Sequence, residues 1–422
     1  MTAPNLYLAA SVIGLLFTLN ALKPVPFEPT SVFAFFAGWL TSELPIHHFL
    51  WQLVATAIFI GSGALSATAG WIGLGITVVS WCGLALLVVR AQRAEGVLEQ
   101  ALVEGLGPDY RRRMAPELAA EQGAALAWRR LILPFRLRDP NVEKLKDIPY
   151  VDDGTKAHRL DVYRNRSHPR GRPVFVYVHG GGWVIGDKRE QGIPLLLHLA
   201  AHGWVCFTDN YRLSPKATFP EHLIDVKQAV AWVKEHCAEH GGDPGYVVIG
   251  GGSAGGHLAS LLALTPDRPE YQPGFEDADT SVDACVPLYG VYDFTNRDGL
   301  LGDGMERFLL AKKVMKVPIA THREAYEKAS PMDQVSDGAP AFFAAHGAND
   351  SLVPVAEARH FVALLRDASC QPVLYAELPG AQHAFETFRS VRTAHLVDAV
   401  ARFLAVVYAD SRRTAPAAAR PQ

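Results

Sequence analysis

From Leu44 to Val89 the chain contains no Asp, Glu, Lys or Arg. A run of that length belongs in lipid rather than in a soluble core, because helices in water keep charged or polar residues on one face. One crossing of a hydrocarbon core uses about 20 helical residues. The run therefore accommodates two crossings, Phe49 to Ala67 and Trp71 to Val89, joined by a short Gly-containing turn. Leu6 to Leu22, apolar apart from Ser11, Thr18 and Asn20, supplies a third. No Lys or Arg precedes it and no small-x-small cleavage site lies before Lys23-Pro24, which favours a retained helix over a removed signal peptide. Ser31 to Leu40 is apolar and aromatic but half the needed length, the pattern of an interfacial or re-entrant segment.

Apart from Lys23, the basic residues near this region fall after its last crossing: Arg90, Arg93, Arg111 to Arg113, Arg129, Arg130, Arg136 and Arg138. By the positive-inside rule the rest of the chain then faces the cytoplasm, and the expected location is the cell membrane, multi-pass, with the lipid bilayer as a partner. The formal net charge of −3 gives no footprint for nucleic acid. Five widely spaced cysteines, Cys82, Cys206, Cys237, Cys285 and Cys370, read as reduced thiols and not as a disulfide framework.

Beyond the apolar region two glycine-rich motifs stand out, His179-Gly180-Gly181-Gly182-Trp183 and Gly251-Gly252-Ser253-Ala254-Gly255. Each follows a run that reads as a buried parallel strand, Pro173 to Val178 and Tyr246 to Ile249. After Ser253 the residues Ala254 to Leu264 read as a helix. Strand, sharp glycine turn and helix form the setting of a nucleophile elbow, which marks Ser253 as the candidate nucleophile; the bland alternative is a structural Gly/Ser turn.

A serine hydroxyl needs a base and a group to orient that base. Asp350 follows the apolar run Ala341 to Phe343, and His383 follows Val373 to Ala376, so both fall at strand C-termini on the edge of the sheet where Ser253 lies. Asp350 also fits the cap of a helix starting near Pro354, and His383 also fits a loop histidine satisfied by backbone. Asp293 and Asp337 are rival acids that fit less well. His257, on the elbow helix, and His360, within Val355 to Leu365, read as packed or solvated. His179 reads as a brace for the glycine loop.

From about Asp147 to about Tyr408 the chain resembles the hormone-sensitive-lipase-like branch of the α/β-hydrolases, a family of carboxylic ester hydrolases. Further matches are Asp209-Asn210-Tyr211-Arg212-Leu213-Ser214-Pro215, His240-Gly241-Gly242-Asp243-Pro244 and His346-Gly347-Ala348-Asn349-Asp350-Ser351-Leu352-Val353-Pro354. The resemblance implies an α/β fold with a mostly parallel sheet flanked by helices. It also implies a triad of Ser253, Asp350 and His383, with the amides of Gly181, Gly182 and Ala254 as oxyanion donors. One departure is Gly252, where the family usually has an acidic or polar residue before the nucleophile.

The expected organisation is a transmembrane helical region over 1–90, amphipathic linker or cap helices over 91–140, a catalytic domain over 141–410 and a disordered tail over 411–422. Phe294 to Asp337, with helix-like Met305 to Val314 and His322 to Lys328, is a candidate cap insertion. No Walker lysine, no G-x-G-x-x-G spacing and no H-E-x-x-H pattern is present, so neither a cofactor nor a metal is implied. The expected function is a membrane-anchored serine carboxylic ester hydrolase acting on ester or lipid-like small molecules. An acyltransferase using the same acyl-enzyme and a non-catalytic membrane binding protein are the alternatives.

Overall fold

Branched and aromatic runs alternating with helices produce one eight-stranded sheet in the order β1-β2-β4-β3-β5-β6-β7-β8. The strands are β1 (Val142–Pro149), β2 (Arg159–Asn165), β3 (Arg172–Val178), β4 (Val205–Asp209), β5 (Gly242–Gly252), β6 (Ala284–Leu288), β7 (Ala341–Gly347) and β8 (Val373–Leu378). The computed structural model describes residues 2–24, 31–118, 128–266, 268–302 and 304–414. β2 runs antiparallel to β1 and β4, and the pairs from β4 through β3 to β8 are parallel. The two-residue period of a strand splits β3 between two cores: Val174 and Val176 pack with Val230, Leu258 and Leu262, while Phe175 and Tyr177 pack with Leu196, Phe403 and Leu404. Both faces are covered by helices, which is why the central strands are apolar throughout. Each fully buried aliphatic side chain contributes roughly 1.5–3 kcal/mol to this arrangement.

The N-terminal part consists of α1 (Ala3–Leu22), α2 (Ser31–Glu43), α3 (Pro45–Gly61), α4 (Thr68–Gln92) and α5 (Ala94–Leu106). α1 lies along α4, and hydroxyls knit the pair: Tyr7 Oη donates to Thr77 Oγ1 at 3.3 Å, Thr77 Oγ1 donates to Ser11 Oγ at 2.9 Å, and Thr18 and Ser80 meet at 2.8 Å. By length and composition two helices, Ala3–Leu22 and the nearly continuous Thr68–Leu106, are sufficient to cross a membrane; the α2–α3 pair, bent by 91°, adds a third only if taken as one span.

The expected crossing from Phe49 to Ala67 begins and ends earlier, at Pro45 and Gly61. Proline is favoured in a first helical turn and bars continuation from the preceding helix, so α2 stops at Glu43 and the chain turns at Leu44. Ser31 to Leu40, expected as an interfacial or re-entrant segment, lies within the separate helix α2, which continues to Glu43.

The division expected at residue 90 falls within α4, and α5 follows at Ala94. Ala94, Leu98, Ala101, Leu102 and Leu106 bury the apolar face of α5 against β8 and the final helix, Val391–Thr414. Two helices, Gly304–Val314 and Arg323–Ala329, occupy the segment between β6 and β7 where a cap insertion was expected. Ser411 to Thr414, expected to begin a tail, continue the final helix, where Arg412 reaches Asp243 and stacks over Tyr408. The rest of that expected tail lies outside the described residues.

Candidate active site

β5 ends at Gly252, and Ser253 takes φ 56° and ψ −122° before the helix Ala254–Leu264 begins. For a non-glycine residue that conformation costs of the order of 1–3 kcal/mol, and it is held by packing on both sides. The Ser253 amide donates to the Leu288 carbonyl at 2.9 Å. A Cβ on Gly255 would lie 2.0 Å from the Val178 carbonyl oxygen, so the elbow helix can approach the end of β3 only with glycine there.

His383 and Asp350 come from the loops after β8 and β7 and meet Ser253 in one line. His383 Nε2 lies 2.8 Å from Ser253 Oγ, and His383 Nδ1 lies 2.6 Å from Asp350 Oδ2. An ionised carboxylate only accepts, so Nδ1 carries the proton and Nε2 is free to accept from the hydroxyl. Asp350 Oδ1 accepts the amides of Leu352 at 2.9 Å and Val353 at 2.8 Å. Asp350 is fully buried, and burial alone would raise its pKa. The charge of His383 and hydrogen bonds from His346 and His383 outweigh that and hold it below the ordinary carboxylate range. His346, itself buried, sits 3.2 Å from Asp350 Oδ2 and 3.0 Å from the Val353 carbonyl.

The rival acids are engaged elsewhere. Asp293 accepts from Thr295 and pairs with Arg297 at 3.1 Å, and Asp337 is exposed. His257 is buried and donates to the Ala329 carbonyl at 2.7 Å, burial pushing its pKa down to about 3. His360 faces Asp298 at 2.6 Å on the surface.

The glycine loop crosses over the elbow. A Cβ on Gly180 would come within 2.9 Å of Ser253 Cβ. Gly181 and Gly182 have φ of 116° and 59°, the left-handed region open to glycine at no steric cost. The Gly180 amide is occupied by Gln191 Oε1 at 2.7 Å. Among the described residues the amides of Gly181, Gly182 and Ala254 have no hydrogen-bond partner, the condition for donors waiting on an oxyanion. His179, its pKa lowered by burial to about 4, hydrogen-bonds the Gly180 carbonyl at 2.7 Å and stacks on Tyr211, the bracing role its position implied.

Three groups were invisible to motif reading. Gln382 Oε1 accepts both the Ser351 amide, 2.7 Å, and the His383 amide, 2.9 Å, tying the acid loop to the base loop. Glu386 is buried beneath His383, where burial raises its pKa; it accepts from Tyr177 Oη at 2.8 Å and from Tyr289 Oη. A Cβ on Gly252 would meet Tyr289 Oη at 2.5 Å, so this tyrosine–carboxylate cluster fills the room that a larger residue before Ser253 would occupy.

The third group is α2. Phe35 places its ring edge-on to His383, centroids 6.1 Å apart, and Trp39 Nε1 donates to the Ala384 carbonyl at 2.8 Å. Glu43 forms a fully buried ion pair with Arg392 at 2.7 Å and accepts from Ser390 Oγ at 2.9 Å. Asn349, beside Asp350, donates to the carbonyls of Ala21 and Leu22, 3.2 Å each.

A sheet of this order with a strained serine at the end of β5 defines an α/β-hydrolase. The BD-FAE family profile matches residues 160–365. The probable carboxylic ester hydrolase LipM of Mycobacterium tuberculosis is 42% identical over 414 residues, covering 93% of this chain and 91% of that protein. Esterase LipQ of the same organism is 39% identical over 380 residues, 88% and 84% of the two chains. The crystal structure of esterase B from Lactobacillus rhamnosis superposes with a TM-score of 0.54 at 20% identity, covering 65% of this chain and 89% of that one, a likeness of fold. A thermophilic esterase from Thermogutta terrifontis, solved with propionate bound, gives 0.50 at 26% identity, covering 65% and 95%. The chain belongs to the α/β-hydrolase family of carboxylic ester hydrolases that includes LipM and LipQ, and it is a carboxylic ester hydrolase.

Proposed function

We propose that the protein is a membrane-anchored serine ester hydrolase working through an acyl-enzyme on Ser253. The unbroken hydrogen-bond line from Asp350 through His383 to Ser253 carries this reading. His383 takes the Ser253 proton as Oγ attacks the ester carbonyl, and Asp350 stabilises the imidazolium that forms. The amides of Gly181, Gly182 and Ala254 bind the tetrahedral oxyanion. His383 then protonates the leaving alcohol and activates the water that releases the acid. Exposed Ile185, behind the glycine loop, and exposed Phe308, on the helix whose Leu309 reaches Gly182, favour an apolar acyl group.

Anchoring is supported by helices built inside out for water. Ser11, Thr18, Thr77 and Ser80 are buried, while Leu16, Ile58 and Val79 are 58%, 63% and 58% exposed. A match to LipM over 93% of the chain must also extend into this region. By the positive-inside rule, the arginines that end and follow α4 support a cytoplasmic catalytic domain. Labelling of the full chain by a fluorophosphonate, with a rate profile over p-nitrophenyl esters of rising chain length, tests the chemistry; no labelling together with no turnover refutes it. Resistance to alkaline carbonate extraction tests the anchor, and a reporter fused after Arg413 tests the orientation.

A further inference from the structure

A second, strongly charged site lies away from Ser253. The segment after the short helix Trp128–Leu131 folds against the loop around Arg166 and the start of the final helix, enclosing a cavity of about 560 Å³. Six arginines line it, Arg129, Arg130, Arg136, Arg138, Arg166 and Arg389, against a single carboxylate, Asp139. Asp139 is taken by Arg130 at 3.3 Å. Among the described residues the other five arginines have no acidic partner within ion-pair distance. Two of them are positioned by backbone carbonyls: Arg389 Nη2 donates to the Arg138 carbonyl at 2.8 Å, and Arg166 Nε donates to the Pro140 carbonyl at 3.1 Å. Partial burial, and then the nearness of Arg130 and Arg136, lower the pKa of Arg389. A guanidinium does not give up its proton under such pressure, so the repulsion persists until an anion enters.

The surroundings of the cleft indicate where that anion comes from. Ile132, Leu133 and Phe135, on the same segment, are 66%, 53% and 64% exposed. The Ile132 carbonyl is joined to His47 of α3 at 3.2 Å, and Phe135 packs on Phe388 at 5.1 Å between centroids. Guanidinium groups free to take an anion thus sit beside apolar side chains and against a helix read as lying in the membrane. Fork-shaped donors suit a phosphate, and the apolar rim suits acyl chains attached to it.

We propose that this arginine cleft is a binding site for the phosphate headgroup of an anionic phospholipid, held at the membrane surface next to the catalytic domain. The proposal rests on the anchored reading above, and the two fail in different experiments: release by carbonate removes the anchor, whereas lipid selectivity tests the cleft. The full chain in neutral detergent is titrated with phosphatidylglycerol or phosphatidylcholine, and bound lipid is read by native mass spectrometry. Retention of phosphatidylglycerol over phosphatidylcholine is expected. Arg389→Gln and Arg166→Gln each weaken it about five-fold, the equivalent of about 1 kcal/mol per basic residue at an anionic surface. Arg129→Gln, on the segment before β1, does the same, which guards against a folding defect in the Arg389 variant. Arg112→Gln, a solvent-exposed arginine outside the cleft, leaves retention unchanged. Equal retention of both lipids, or an Arg112→Gln loss as large as the others, overturns the site. Displacement of the bound lipid by inorganic phosphate alone overturns the lipid source.

Discussion

The sheet domain hides Val174, Phe175 and Val176 completely, whereas α1, α3 and α4 turn the same kinds of side chain outward and hide their hydroxyls. In the sheet domain the hydrophobic effect drives apolar surface away from water. In the anchored reading proposed above, that drive is absent from the helical region, and close packing with interhelical hydrogen bonds such as Thr18 to Ser80 takes its place. The contrast is the one that two solvents for one chain, as proposed, would leave. It breaks down at α2, which has the composition of the helical region but contacts the sheet domain: Phe35, Trp39 and Glu43 reach the loop and helix around His383.

If chemistry resides in the sheet domain alone, the largest effect belongs to Ser253. Ser253→Ala is expected to lower kcat by about 10⁶-fold, as in other serine triads, with an unchanged melting temperature. Retained fluorophosphonate labelling in that variant moves the nucleophile elsewhere. Asp350→Asn is expected to cost about 10⁴-fold in kcat. It also alters the acid limb of stability. The folded pKa of Asp350 is depressed below the ordinary 3.8, so its ionised form stabilises the fold above that pH and the contribution is lost as pH falls. Unfolding measured against pH should therefore steepen below about pH 4 for the wild type and flatten for the Asn variant.

The boundary between the two regions gives intermediate effects. Glu43→Gln leaves the buried Arg392 without a counter-charge and should destabilise by about 3–5 kcal/mol in a thermal melt, with Glu43→Gln plus Arg392→Met recovering part of it. A loss below 1 kcal/mol would mean that α2 is not an integral part of the catalytic domain. Val79→Lys places a charge on the outward face of α4 and should cost about 3 kcal/mol of insertion, read as a reduced membrane-inserted fraction. If it behaves like a surface substitution in water, the two-solvent contrast is wrong. The smallest effect is Trp39→Phe, which removes one hydrogen bond to Ala384 and keeps the ring. About 1 kcal/mol, or five-fold in kcat at unchanged KM, is expected.

Ser253, Asp350 and His383 were legible because each sits in a local pattern, a strand end followed by a tight turn, that short stretches of sequence determine. The mostly parallel sheet flanked by helices followed from the resemblance, and the long helices α1 and α4 from their apolar length. Gln382 and Glu386 were not legible, since their partners Ser351, Tyr177 and Tyr289 lie on β3 or on the loops after β6 and β7, and only the finished sheet brings them together. The role of α2 was hidden for a different reason. Phe and Trp suit a bilayer surface and a protein interior equally well, so the composition of Ser31 to Leu40 does not reveal which one Phe35 and Trp39 meet. Pro45 did signal a helix start, but the length argument overrode it and displaced the crossing toward Ala67.

The ion pair between Glu43 and Arg392 spans 349 residues of sequence. At synthesis rates of about 5–20 residues per second, Glu43 is made roughly 17–70 s before its partner. During that interval an ionised Glu43 cannot enter its final dry position, since an unpaired carboxylate there costs several kcal/mol. α2 must therefore wait, hydrated or protonated, until the last helix has been made, and its packing against the base loop is completed only after Ser253, Asp350 and His383 have all been synthesised.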